Sequence, residues 1–155
     1  MSEAPRERRL LIGIGNPERG DDAAGRAVAR RLLAGEHRGL DVRECAGEAA
    51  TLMEAWAGYE EVVLVDACRG GGAPGTVHRI GPGEAAGFAT FRHASSHSFG
   101  VAAAIGLAQA LGTLPPRLVV YAIEASDSRE GAGMSSEVER AVEEVVALLR
   151  RDVET

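Results

Sequence analysis

Asp21, Asp22, Asp66 and His97 are the residues of this chain whose types and surroundings suit chemistry. Asp66 closes the apolar run Val62-Val63-Leu64-Val65, and a carboxylate at the end of a buried strand is costly unless it is paired or bound to a cation. Asp21 and Asp22 stand together after a strand and a turn. A single acid there is explained by capping a helix and opposing its dipole; two adjacent acids exceed what one cap needs. His97 lies in the first turn of a helix predicted to start at Ser95-Ser96, where the dipole disfavours the protonated ring and leaves a neutral ligand or base. One imidazole with two carboxylates makes an open nitrogen and oxygen site suited to a borderline divalent metal such as nickel or zinc.

Other chemistries fall away on composition. All 17 basic residues of the 155 are Arg, so a Schiff-base lysine, a serine–lysine dyad and the lysine of a phosphate-binding loop are excluded. The formal charge of −6 argues against a nucleic-acid partner, which needs clustered positive charge. Gly13-x-Gly15 begins like a dinucleotide fingerprint, but the position of the third glycine is Glu18, an acid that would repel a pyrophosphate. No Gly-x-Ser-x-Gly elbow occurs, and the serines around His97 lack a strand-to-helix elbow. Cys45 and Cys68 are too few for a disulfide framework and match no metal-finger spacing. Cys68 reads as a small apolar filler, with a nucleophile near His97 as the alternative.

The elements that position these residues follow from periodicity. Leu10–Ile14 reads as a buried strand ending in the turn signal Gly15-Asn16-Pro17. Asp22 to Ala34 has helical spacing, Leu40–Cys45 is a short strand, and a helix is expected from about Glu48 to Trp56. Glu61–Asp66 is the clearest strand, apolar enough for burial on both faces. The glycine-rich stretch 69–75 leads into a strand over Thr76–Ile80, followed by an expected loop over Pro82–Ala94. A helix to about Leu111, a strand over Leu118–Ile123 and a last helix opened by a Ser136/Glu139 capping box complete the chain. Strands alternating with helices imply a three-layer α/β/α fold, phosphorylase/hydrolase-like, with a mostly parallel five-stranded sheet covered on both faces. Residues 9–151 are expected to form one domain, with an N-terminal arm over 1–8 and a tail over 152–155. Ligands in such folds bind outside the carboxyl ends of the strands, where the acids and His97 fall.

Taken in order, Gly13-x-Gly15-Asn16, Gly20-Asp21-Asp22-x-x-Gly25, Val65-Asp66-Ala67, Ser96-His97-x-x-Gly100, Leu111-Gly112-x-Leu114-Pro115 and Gly133-Met134-Ser135-x-x-Val138 resemble the nickel–iron hydrogenase maturation proteases over nearly the whole chain. The resemblance implies an endopeptidase that removes a C-terminal extension from a hydrogenase large-subunit precursor once nickel is in place. It further implies that Asp22, Asp66 and His97 are the metal-binding and catalytic positions. In that family the nickel belongs to the precursor and serves recognition, which implies that the isolated protein need not hold it. The ion either polarises the scissile carbonyl and activates water, with a carboxylate as base, or acts in recognition alone. One stretch departs from the family: where many members carry an Asp-Gly-Gly-Thr-like sequence, this chain has Cys45-Ala46-Gly47-Glu48.

Two other readings compete. A peptidyl-tRNA hydrolase also opens on a strand ending in Gly-x-Gly-Asn-Pro, but it needs a Thr-Arg-His-Asn stretch that this chain lacks. A docking factor that senses nickel in the precursor without cutting it is the alternative from outside the enzymes. The first nine residues are polar and basic with no apolar stretch behind them, and no apolar run approaches a membrane span. The expectation is a soluble cytoplasmic monomer whose partner is the precursor, with neither nucleic acid nor membrane.

Overall fold

The computed structural model describes residues 9–35, 39–69, 71–81, 96–126, 129 and 131–154. Five strands form one sheet: β1 (Arg9–Ile14), β2 (Leu40–Cys45), β3 (Glu61–Cys68), β4 (Val77–Ile80) and β5 (Arg117–Glu124). Their order is β2-β1-β3-β5-β4. β1 pairs with β2 and β3 in parallel, β3 pairs with β5 in parallel, and β4 lies antiparallel on β5 at the edge. The helices are α1 (Ala24–Leu33), α2 (Ala49–Trp56), α3 (Ser96–Leu111) and α4 (Ser136–Glu154), with a 3₁₀ turn over Gly20–Ala23 before α1. The three-layer, mostly parallel architecture expected from the sequence is the one observed.

Strand alternation divides the core in two. Leu10, Ile12, Val62, Leu64, Leu118 and Val120 pack beneath α2 and α3, against Leu52, Trp56, Val101 and Ile105. Leu11, Val65, Tyr121 and Ile123 face α1 and α4, against Val28, Leu32, Val142, Val145 and Leu149. Full burial of each such side chain contributes on the order of 1.5–3 kcal/mol. The central strands are therefore apolar on both faces, and β2, at the edge, alternates between half-buried and exposed residues until the buried Cys45.

Several boundaries move, each for a physical reason. β3 continues two residues past Asp66, because Ala67 and Cys68 pair with Ile123 and Glu124 of β5. α1 begins at Ala24 rather than Asp22, the preceding residues being wound into the tighter 3₁₀ turn. Glu139 N–H donates to the Ser135 carbonyl, which puts the cap of α4 at Ser135, one residue before the expected capping box. α4 runs on to Glu154, and the Arg9 Nη1 donates to the Asp152 carbonyl at 3.2 Å. The expected N-terminal arm and the expected loop over Pro82–Ala94 lie outside the described residues.

Candidate functional site at the carboxyl edge of the sheet

After β1 the chain turns to β2 on one side and then crosses to β3 on the other. This reversal makes the crevice between the carboxyl ends of β1 and β3 the topological switch point, where open α/β sheets bind ligands. Asp22 lies in the 3₁₀ turn after β1 and Asp66 near the carboxyl end of β3, the two elements that border that crevice.

Three glycines bring these pieces together. A Cβ on Gly15 would run into the carbonyl oxygen of Asp22, so the turn carrying Asp22 lies directly on the end of β1. Gly15 also has φ +146°, a conformation that side chains rarely adopt. A Cβ on Gly25 would collide with the carbonyl oxygens of Ile14 and Val65. The first turn of α1 is thereby wedged between β1 and β3, one peptide from Asp66. The Gly-x-Gly…Asp-Asp-x-x-Gly pattern thus serves close packing. A Cβ on Gly100, the fifth residue of α3, would strike the carbonyl of Gly47, so the amino end of α3, which carries His97 as its second residue, is seated on the β2–α2 loop.

The two adjacent acids have different surroundings. Asp21 is fully buried; its carboxylate accepts the Ser126 N–H and the Ser135 N–H, each at 2.7 Å, and the Ser135 hydroxyl at 3.0 Å. It binds the turn after β1 to the segment after β5 and to the amino end of α4, where a negative charge also opposes the dipole favourably. Neither Asp21 nor Asp22 caps its own helix: no side-chain bond caps the 3₁₀ turn or α1. Asp22 is 1% exposed. Asp66 is completely buried, and its Oδ1 accepts the Ala67 N–H at 2.8 Å.

The divergent stretch is held by a local bond. Cys45 Sγ accepts the Gly47 N–H at 3.3 Å, and Gly47 has φ +104°, a conformation that favours glycine. Cys68 lies near groups that the sequence did not single out: its Sγ, a ring nitrogen of His78 and a carboxylate oxygen of Glu124 are all within 4.8 Å of one another. Glu124 closes the apolar strand β5 much as Asp66 nearly closes β3, and the cost of burying an acid marks both. His78 could not be found in that way, because its place depends on the antiparallel docking of β4.

The comparisons with known proteins agree with this architecture. The hydrogenase maturation protease family model matches residues 39–151. NiFe hydrogenase maturation protease HybD from Thermococcus kodakarensis superposes with a TM-score of 0.78 at 25% identity, covering 94% of this chain and 99% of that one. The hydrogenase maturating endopeptidase HybD from E. coli gives a TM-score of 0.74 at 22% identity, covering 94% and 93%. A hydrogenase 2 maturation peptidase from the Thaumarchaeota archaeon SCGC_AB-539-E09 gives 0.67 at 25% identity, covering 95% and 98%. No curated protein matches the chain. With the family model covering most of its length and this fold beneath it, the chain belongs to the hydrogenase maturation protease family and is a peptidase.

Proposed function

We propose that the protein removes the C-terminal extension of a nickel–iron hydrogenase large-subunit precursor after nickel insertion, and that Asp22, Asp66 and His97 meet the nickel that the precursor carries. The observation that supports this most directly is the placing of two buried carboxylates, Asp22 and Asp66, on the elements that flank the switch point. Carboxylates gathered in a poorly solvated crevice favour a divalent cation, and with an imidazole they suit nickel. A nickel ion already held by substrate thiolates can take these groups at its open positions. Only a loaded precursor then docks productively, and differential affinity provides the gate. The same carboxylates are the groups available to take a proton from the attacking water, which makes the reading one of an aspartyl-type hydrolysis. The protein works as a cytoplasmic monomer in this scheme. Among the described residues no helix is long and apolar enough to cross a membrane.

The test is to incubate the purified protein with nickel-loaded and nickel-free precursor and follow the mass of the large subunit. Loss of a short C-terminal peptide from the loaded form alone is expected. Stable binding at unchanged mass would instead make the protein a docking factor, and equal cleavage of both forms would remove nickel from the scheme.

A further inference from the structure

The cluster formed by Cys68, His78 and Glu124 is absorbed by nothing in the proposed processing reaction. We propose that these three residues bind one divalent cation of the borderline class, zinc foremost, held by this chain itself. The three donors come from three neighbouring strands. Cys68 of β3 stands opposite Glu124 of β5, while His78 of β4 pairs with Ala122, two residues before Glu124. All three thus share one face of the sheet. His78 Nε2 is 2.8 Å from Glu124 Oε1, and the thiol completes a set of donors no more than 4.8 Å apart.

Zinc sits about 2.3 Å from sulfur and about 2.0–2.2 Å from nitrogen or oxygen. Tetrahedral geometry then places the donor atoms roughly 3.3–3.6 Å apart, so side-chain adjustments on the order of 1 Å close the site. The strands are hydrogen-bonded to one another, so little ordering remains to be done on binding, which favours affinity. Sulfur, imidazole and carboxylate together select zinc, cobalt or nickel over magnesium and calcium. A thiolate and a carboxylate also balance the charge of the ion, which matters because Cys68 and Glu124 are each only 2% exposed. His78, with its side chain 31% exposed, opens the site to solvent on one side and leaves a fourth position for water.

The described part of the glycine-rich loop packs on Glu124. A Cβ on Gly72 would lie 3.2 Å from Glu124 Oε1, so the loop rests on the carboxylate. Its far end is fastened to the same residue: Gly75 N–H donates to the Glu124 carbonyl and Glu124 N–H to the Thr76 carbonyl, both at 2.9 Å. The cluster is distinct from the processing site but adjacent to it. Cys68 follows Asp66 by two residues on the same face, about 7 Å along the strand. A bound ion would fasten the ends of β3, β5 and β4 beside Asp66.

The proposal is tested on the full chain, kept reduced, by titration with zinc and with cobalt as an optical probe. An Asp66→Asn/His97→Ala background, which disables the processing site, is titrated alongside. One equivalent of zinc is expected to remain after gel filtration in both proteins, with a thiolate-to-cobalt absorption band and a rise in Tm. Cys68→Ser and His78→Ala should each weaken binding at least tenfold, and Cys68→Ser should remove the band. His78→Ala lies on a short, half-exposed edge strand, and circular dichroism verifies that each variant is folded. Failure to retain zinc at micromolar concentration would overturn the proposal. So would binding indifferent to both substitutions, or binding lost in the Asp66→Asn/His97→Ala background, which would assign the ion to the processing site.

Discussion

Replacing Asp21 should separate it from its neighbour Asp22. Its carboxylate accepts two backbone N–H bonds at 2.7 Å, from Ser126 and Ser135, and the Ser135 hydroxyl. Hydrogen bonds to a charged group contribute about 1.5–3 kcal/mol each. Ser126 is exposed and Ser135 half-buried, so water recovers part of the loss at the Ser126 end. Asp21→Ala should therefore cost about 3–4 kcal/mol, the larger share from the donors at the start of α4. For a chain of this size 1 kcal/mol moves Tm by about 2–4 °C, so a fall of about 10 °C is expected. Asp21→Asn keeps one acceptor oxygen but turns an amide donor toward the remaining N–H, and should lose about half as much. Thermal and urea denaturation followed by circular dichroism give both numbers. An Asp21→Ala protein melting within 3 °C of the parent, on the scale of about 1 kcal/mol, would show that water replaces these bonds and that Asp21 fastens nothing.

Other expectations concern the crevice and its packing. Asp66→Asn and His97→Ala should each abolish processing of the loaded precursor with Tm nearly unchanged, whereas Asp22→Glu, which lengthens the acid without removing it, should keep partial activity in the mass assay. Gly25→Ala drives a methyl group into the backbone of β1 and β3. Because backbone cannot yield as a side chain does, a loss of about 3 kcal/mol or more is expected in urea denaturation. Gly100→Ala forces the start of α3 off Gly47; a cost of about 1–3 kcal/mol should come with a larger fall in processing, since His97 lies at that end of α3. Glu143→Gln, which removes an exposed 3.8 Å pair with Arg31, should change stability by less than about 0.5 kcal/mol and serves as the control.

Much of the fold was legible because the central strands carry unbroken apolar runs. Val62–Val65 announces burial on both faces, and the stripe from Val138 to Leu149 announces the inner face of α4. The strand order and the direction of β4 were not legible, since four residues hold no record of the partner on which they dock. The ends of β3 and β5 were underestimated for a related reason: a polar residue such as Asp66 looks like a strand end until its neighbour's pairing is known. At the site, Asp66 was visible as a costly burial and the Asp21-Asp22 pair as one acid more than a cap needs, whereas Glu124, as deeply buried at the end of β5, was passed over. The division of labour between Asp21 and Asp22 was hidden, because it depends on Ser126 and Ser135, more than a hundred residues away. For the same reason Asp21 looked like the cap of its own helix, whereas its partners lie after β5 and at the start of α4.

The bond from Arg9 to Asp152 bears on how the protein can be handled. It places the start of β1 beside the last turn of α4 at the amino edge of the sheet, and the six residues of β1 separate that edge from the crevice by about 17 Å. A fluorophore or surface tether attached near Arg9 or near Asp152 would leave the molecule on the side away from Asp22 and Asp66. An immobilised enzyme built in this way would keep its carboxyl edge clear for a partner as large as a folded hydrogenase subunit.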